Sequence, residues 1–175
     1  MEPQPGATGI EVVAHSAPPP VVVMGVSGAG KSTVGAALAQ RLGVPFVDAD
    51  TLHPPANVAK MAAGEPLSDD DRYPWLERVG GWLAGHPAGV VSCSALKREY
   101  RDQLRAHCPR VEFLHLDGSP EEIGRRAAGR SGHFMPAALL SSQFDTLEPL
   151  DIDEPGVTVD VGHGVDAIID IFLAR

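Results

Sequence analysis

The segment Gly25-Val26-Ser27-Gly28-Ala29-Gly30-Lys31-Ser32 fits the pattern G-x-x-x-x-G-K-[ST], and no other feature restricts the fold of this chain as strongly. The pattern carries physical meaning only with a buried strand before it and a helix after it. Val21-Val22-Val23-Met24 is a continuous apolar run, as a strand covered on both faces of a parallel sheet requires. Ser32 to Leu42 is alanine-rich, with apolar positions at helical spacing and Gly43 to close it. With both flanks in place, the alternative of a chance glycine-rich turn loses its force. Glycines let backbone N–H groups turn inward toward phosphate oxygens. The helix that follows adds roughly half a positive charge at its N-terminus. Gly25, Val26, Ser27, Gly28, Ala29, Gly30, Lys31, Ser32 and Thr33 are therefore the expected ATP-binding loop. In it Lys31 reaches the β- and γ-phosphates and the Ser32 hydroxyl ligates Mg²⁺.

The rest of the chain alternates strand and helix. Further strands are expected at Val44 to Val47, Gly89 to Cys93, Val111 to Leu116 and Val157 to Val161. Helices are expected at Ala56 to Ala63, Pro74 to Leu83, Leu96 to His107, Pro120 to Gly129, Pro136 to Phe144 and Val165 to Leu173. That alternation specifies an α/β fold with a parallel sheet and helices on both faces. Ligands of such folds bind beyond the carboxyl ends of the strands. The glycine loop, Asp48 to His53, Ser92 to Lys97 and Asp117 are thereby candidates for one cleft. Residues 1–20, rich in Pro, Ala and Gly, read as a disordered lead-in, and residues 21–175 as a single domain.

A nucleotide loop does not name a reaction. The formal net charge of −9 gives no overall basic footprint for nucleic acid or an anionic membrane. A lysine beside a phosphate still dominates locally, because distant surface carboxylates are screened beyond about 8 Å. A guanine-selecting switch would use N-K-x-D, but Asn57 is the only asparagine and Val58 follows it. Two cysteines make neither a disulfide framework nor a zinc site. No apolar run approaches the roughly 20 residues of a membrane span, and the first Lys or Arg is Lys31, so the expected compartment is the cytoplasm.

Transfer to a hydroxyl needs a carboxylate to accept its proton and another near the metal. Asp50 takes the first role and Asp48, through water, the second; helix capping is the plainer alternative for each. His53 follows at once, as a site residue or a structural one. Asp69-Asp70-Asp71-Arg72 reads as the start of a packed helix that leaves Arg72 free to enter the cleft. Ser94 is a candidate cap for the next helix. Lys97 in its first turn opposes the helix dipole, which a bound anion would offset; a solvated lysine is the alternative.

Arg126 and Arg130 lie four apart, on one helical face, between Arg125 and Ser131-Gly132-His133-Phe134. One guanidinium can stack on adenine while the other reaches phosphate. Gly129 and Gly132 would let a lid around residues 126–136 hinge and close. The alternative is a solvated arginine face. Phe144 either closes the acceptor side or belongs to the core.

Together these blocks resemble the bacterial gluconokinases of the small P-loop type. The likeness is carried by the glycine loop, Asp48-Ala49-Asp50-Thr51-Leu52-His53-Pro54, Asn57 to Met61 and Gly64 to Arg72. Cys93 to Lys97, Tyr100-Arg101, Gly132-His133-Phe134 and Gln143 to Leu147 extend it. The resemblance runs from about Val21 to the C-terminus. It implies a P-loop kinase fold with a five-stranded parallel sheet and a mobile lid, and phosphorylation of D-gluconate by ATP with Mg²⁺. It also implies that Arg126 stacks on adenine and Arg130 touches phosphate, the latter as a catalytic group beside Lys31 and Asp50. Asp50, His53, Arg72, Lys97, Arg101, His133 and Gln143 would face gluconate. Members of that family are often homodimers. Ala49 stands where relatives often have glycine, and Ser131 where a basic residue is common.

Overall fold

The computed structural model describes residues 18–128 and 137–175. Five parallel strands, β1 (Val21–Met24), β2 (Phe46–Asp48), β3 (Val90–Ser92), β4 (Glu112–Asp117) and β5 (Gly156–Asp160), form one sheet in the order β2-β3-β1-β4-β5. Seven helices accompany them among the described residues: α1 (Lys31–Leu42), α2 (Pro55–Ala62), α3 (Asp69–Gly85), α4 (Arg98–His107), α5 (Pro120–Ala128), α6 (Ala137–Thr146) and α7 (Val165–Leu173). A short 3₁₀ turn, Ala49–Leu52, joins β2 to α2.

β1 is central because every one of its side chains is buried. Strand alternation sends Val21 and Val23 into a core with Leu38, Leu114, Ile169 and Phe172 on the α1 and α7 face. Val22 and Met24 enter a second core with Trp75, Leu76, Tyr100 and Phe113 on the α3 and α4 face. Phe144 packs against the first of these cores. Register aligns Val23 with Ser92 on one side and Leu114 on the other. Asp48 in turn pairs with Ser92. The carboxyl ends of β1, β2 and β3 thus meet at one edge, where the glycine loop begins.

Two helix starts differ from expectation. α3 begins at Asp69 rather than Pro74, because Ser68 and Asp71 close a reciprocal capping box: Asp71 N–H donates to Ser68 Oγ (3.1 Å) and Ser68 N–H to Asp71 Oδ2 (2.9 Å). Pro74 therefore lies inside the helix. α4 begins at Arg98, with Lys97 rather than Ser94 at the N-cap. No described helix is long and apolar enough to cross a membrane.

Candidate active site

The phosphate loop owes its shape to backbone that only glycine adopts easily. Gly25 has φ +147°, and a Cβ there would sit 2.8 Å from the Leu116 carbonyl oxygen of β4. Gly30, at φ +92°, caps α1 without a side chain, so the first-turn amides of that helix have no side-chain acceptor at the cap. Lys31 Nζ donates to the Val26 carbonyl at 2.9 Å, folding the lysine back under the loop. Burial lowers its pKa, and the nearby carboxylates of Asp50 and Asp48 oppose that shift.

Ser32 and Asp48 come together from α1 and β2. Ser32 Oγ donates to Asp48 Oδ2 at 2.8 Å and lies 3.3 Å from Ser92 Oγ. The other carboxylate oxygen of Asp48 accepts the Asp50 N–H at 2.9 Å, which caps the 3₁₀ turn. One side chain thereby ties the serine of the loop to the turn that carries Asp50.

A single cleft is lined by Ser27 and Lys31 of the loop, Asp50 and His53 of the turn, Arg72 and Trp75 of α3, Ser94 after β3, and Gln143 of α6. Asp50 is 80% exposed at its side chain, whereas the His53 ring is 3% exposed. That ring stacks on Trp75 with centroids 4.2 Å apart, and Trp75 Nε1–H is anchored on the Ala49 carbonyl at 2.8 Å. Burial, and then the nearby Arg72 charge, depress the His53 pKa to about 4. Arg72 is nearly buried, and it donates from Nη1 to Tyr100 Oη at 3.1 Å. Gln143 Oε1 accepts the Ser27 N–H at 2.7 Å.

Other expected site residues lie elsewhere in this structure. Lys97 is outside the cleft lining and donates to both oxygens of Asp69, at 2.9 and 3.2 Å. The anion that offsets its position at the start of α4 is therefore the first residue of α3. Tyr100 Oη also donates to Asp69. Arg101 is fully buried and absent from the cleft lining. Its Nε and Nη2 donate to Glu154 at 2.6 and 2.9 Å, Nη1 to the Ala95 carbonyl at 2.9 Å and Nη2 to the Pro149 carbonyl at 3.2 Å. Ala95 has φ +43°, the one positive φ among the described non-glycine residues, so Arg101 braces a strained turn beside Ser94. Arg126 donates to the Val161 carbonyl just past β5. Arg130, His133 and the expected lid hinges Gly129 and Gly132 lie outside the described residues.

Sequence reading did not bring Trp75 to the site, nor Leu67, Leu139 or Ser142, which also line the cleft. Trp75 had one available signal: it falls three residues after Arg72, on the same helical face.

Sheet order, loop and cleft together define a P-loop kinase that acts on small molecules. Comparison with known proteins agrees and goes further. The family described as shikimate kinase matches residues 27–143. Gluconokinase from Gluconobacter oxydans (strain 621H) is 52% identical over 155 residues, which cover 86% of each chain. Thermosensitive gluconokinase from Escherichia coli (strain K12) is 46% identical over 149 residues, covering 82% of this chain and 80% of that one. The crystal structure of a gluconokinase from Sinorhizobium meliloti 1021 superposes with a TM-score of 0.85 at 49% identity, covering 90% of this chain and 91% of that one. The chain belongs to the gluconokinase family.

Proposed function

We propose that the chain transfers the γ-phosphoryl group of ATP to the terminal hydroxyl of D-gluconate, giving ADP and 6-phospho-D-gluconate. The observation that carries this reading is the cleft itself, where Lys31 of the phosphate loop and Asp50 of the facing turn line one space with the Arg72 cation. As the hydroxyl oxygen bonds to phosphorus and the bond to ADP breaks, Asp50 accepts the hydroxyl proton. Lys31 offsets charge on the transferred group. Arg72, held by Tyr100, offers a cation to the gluconate carboxylate. Ser32 and Asp48 present oxygen ligands 2.8 Å apart, the donor type that Mg²⁺ prefers, and would hold it with the phosphates. The ion would neutralise phosphate charge. Arg126, which donates to the Val161 carbonyl just past β5, is assigned to adenine by resemblance. Arg130 and His133 are assigned to phosphate and acceptor by resemblance alone.

An acceptor panel tests the reading. ADP release in a coupled assay is expected with gluconate and not with shikimate or with a sugar acid lacking the terminal hydroxyl. Equal rates on shikimate would move the chain to another acceptor. A site built for hydroxyls rejects analogues that lack them by about 10⁴ to 10⁵.

A further inference from the structure

Asn57 is the one buried residue of α2, and a buried amide has to satisfy its hydrogen-bonding groups. Its Nδ2 lies 2.8 Å from the Asp71 carbonyl oxygen and 3.2 Å from His53 Nδ1. A backbone carbonyl can only accept, so the group facing Asp71 must be the NH₂. The second hydrogen of that NH₂ then points at His53 Nδ1, which must be the unprotonated nitrogen. In a neutral imidazole the proton therefore sits on Nε2. Stacking on Trp75 fixes the plane of the ring, and Asn57 fixes its orientation within that plane.

Nε2 lies 4.0 Å from Asp50 Oδ1, too far for a direct hydrogen bond. A hydroxyl oxygen placed between them would accept from Nε2–H and donate to the carboxylate. One lone pair of that oxygen remains for phosphorus.

We propose that Asn57 is a positioning residue that holds His53 as the Nε2–H tautomer, so that the imidazole steadies the acceptor oxygen as a hydrogen-bond donor and leaves proton removal to Asp50. The tautomer follows from the hydrogen-bond geometry alone; the catalytic half rests on the hydroxyl-kinase reading above. The same device explains a buried asparagine beside a histidine whose ring is kept from water.

The tautomer is read directly by long-range ¹H–¹⁵N NMR of the ¹⁵N-histidine-labelled full chain near neutral pH, without nucleotide or acceptor. His53 is assigned by the signal missing from His53→Gln. A protonated, pyrrole-type Nε2 with a pyridine-type Nδ1 is expected; the opposite pattern overturns the proposal whatever the enzyme turns over. Kinetics of two variants test the role. Glutamine places an amide N–H near the Nε2 position, so His53→Gln should keep kcat within about tenfold of the parent, whereas loss of a general base costs about 10² to 10⁴. A loss of that larger size would make His53 a base and overturn the proposal. Asn57→Asp, which cannot donate to Nδ1, should drive His53 toward the Nδ1–H form and lower kcat at least tenfold with KM for ATP unchanged. A pyridine-type Nδ1 retained beside the Nε2–H signal in that variant would overturn the role of Asn57. A parent chain that shows the expected tautomer but ignores gluconate would refute the assigned acceptor and not the tautomer.

Discussion

The Ser27 backbone N–H donates to Gln143 Oε1 at 2.7 Å, joining the phosphate loop to α6 across 116 residues of sequence. A loop amide is therefore engaged by a side chain that lines the same cleft. The glycine loop and α6 share this hydrogen bond, and nothing in the local sequence around either residue announces it.

Gln143→Ala removes a contact worth about 1 kcal/mol and one polar group of the acceptor cleft. The expected result is a rise of about tenfold in KM for gluconate with a smaller change in KM for ATP. Steady-state titration of each substrate with the other saturating checks this. An unchanged gluconate KM would remove Gln143 from the acceptor side.

Arg101 and Glu154 are both buried and paired through two hydrogen bonds. Removing one partner leaves an uncompensated buried charge, at a cost of about 3 to 5 kcal/mol. Glu154→Ala should lower the urea midpoint sharply, and Arg101→Lys should lower it to a lesser degree because lysine cannot reproduce the fork. Where the lysine variant folds, its gluconate KM should stay near that of the parent. A stable lysine variant with a much raised KM would return Arg101 to the substrate.

Two histidines set the acid side of stability. His53 has a folded pKa of about 4 against an ordinary 6.5. The His115 pKa is lowered as well, chiefly by burial, and neither ring nitrogen has a hydrogen-bond partner among the described residues. Between pH 6.5 and 4 the unfolded chain binds protons that the folded chain refuses, so stability falls as pH falls through that window. The His53 share is bounded at about 3 kcal/mol. The carboxylate of Asp71, held down to about 2 first by the Lys60 hydrogen bond and then by Ser68, loses its contribution only below its ordinary 3.8. Urea midpoints measured between pH 7 and 4.5 should therefore decline, and His53→Gln should flatten the decline. A midpoint constant over that range would contradict the burial of neutral histidines.

Asp50→Asn keeps the shape of the side chain and removes the proton acceptor. It should lower kcat by about 10² to 10⁴ while KM for both substrates moves little. A variant with near-parental kcat would place the base elsewhere.

The fold was legible because its signals are local. A buried valine strand, a glycine loop and alternating strand and helix patterns each act within a few residues, and all five strands appear within two residues of where the sequence places them. The site was legible only in part. Arg72, Lys97 and Arg101 look alike in sequence, and long-range partners separate them. Glu154, 53 residues away, takes Arg101; Asp69, 28 residues away, takes Lys97; Arg72 alone of the three reaches the cleft. Asp69 to Arg72 reads in sequence as a helix start, and the Ser68–Asp71 capping box makes Asp69 the first residue of α3; that it is a fixed partner for Lys97 is the part the sequence does not show.

The most direct measurement is ³¹P NMR of the purified chain with ATP, Mg²⁺ and D-gluconate. The γ-phosphate signal should be replaced by a sugar-phosphate monoester and ADP in equal amounts, and only when gluconate is present. ATP left intact, or converted to ADP and free inorganic phosphate, would contradict phosphoryl transfer to gluconate in the cleft between Lys31 and Asp50.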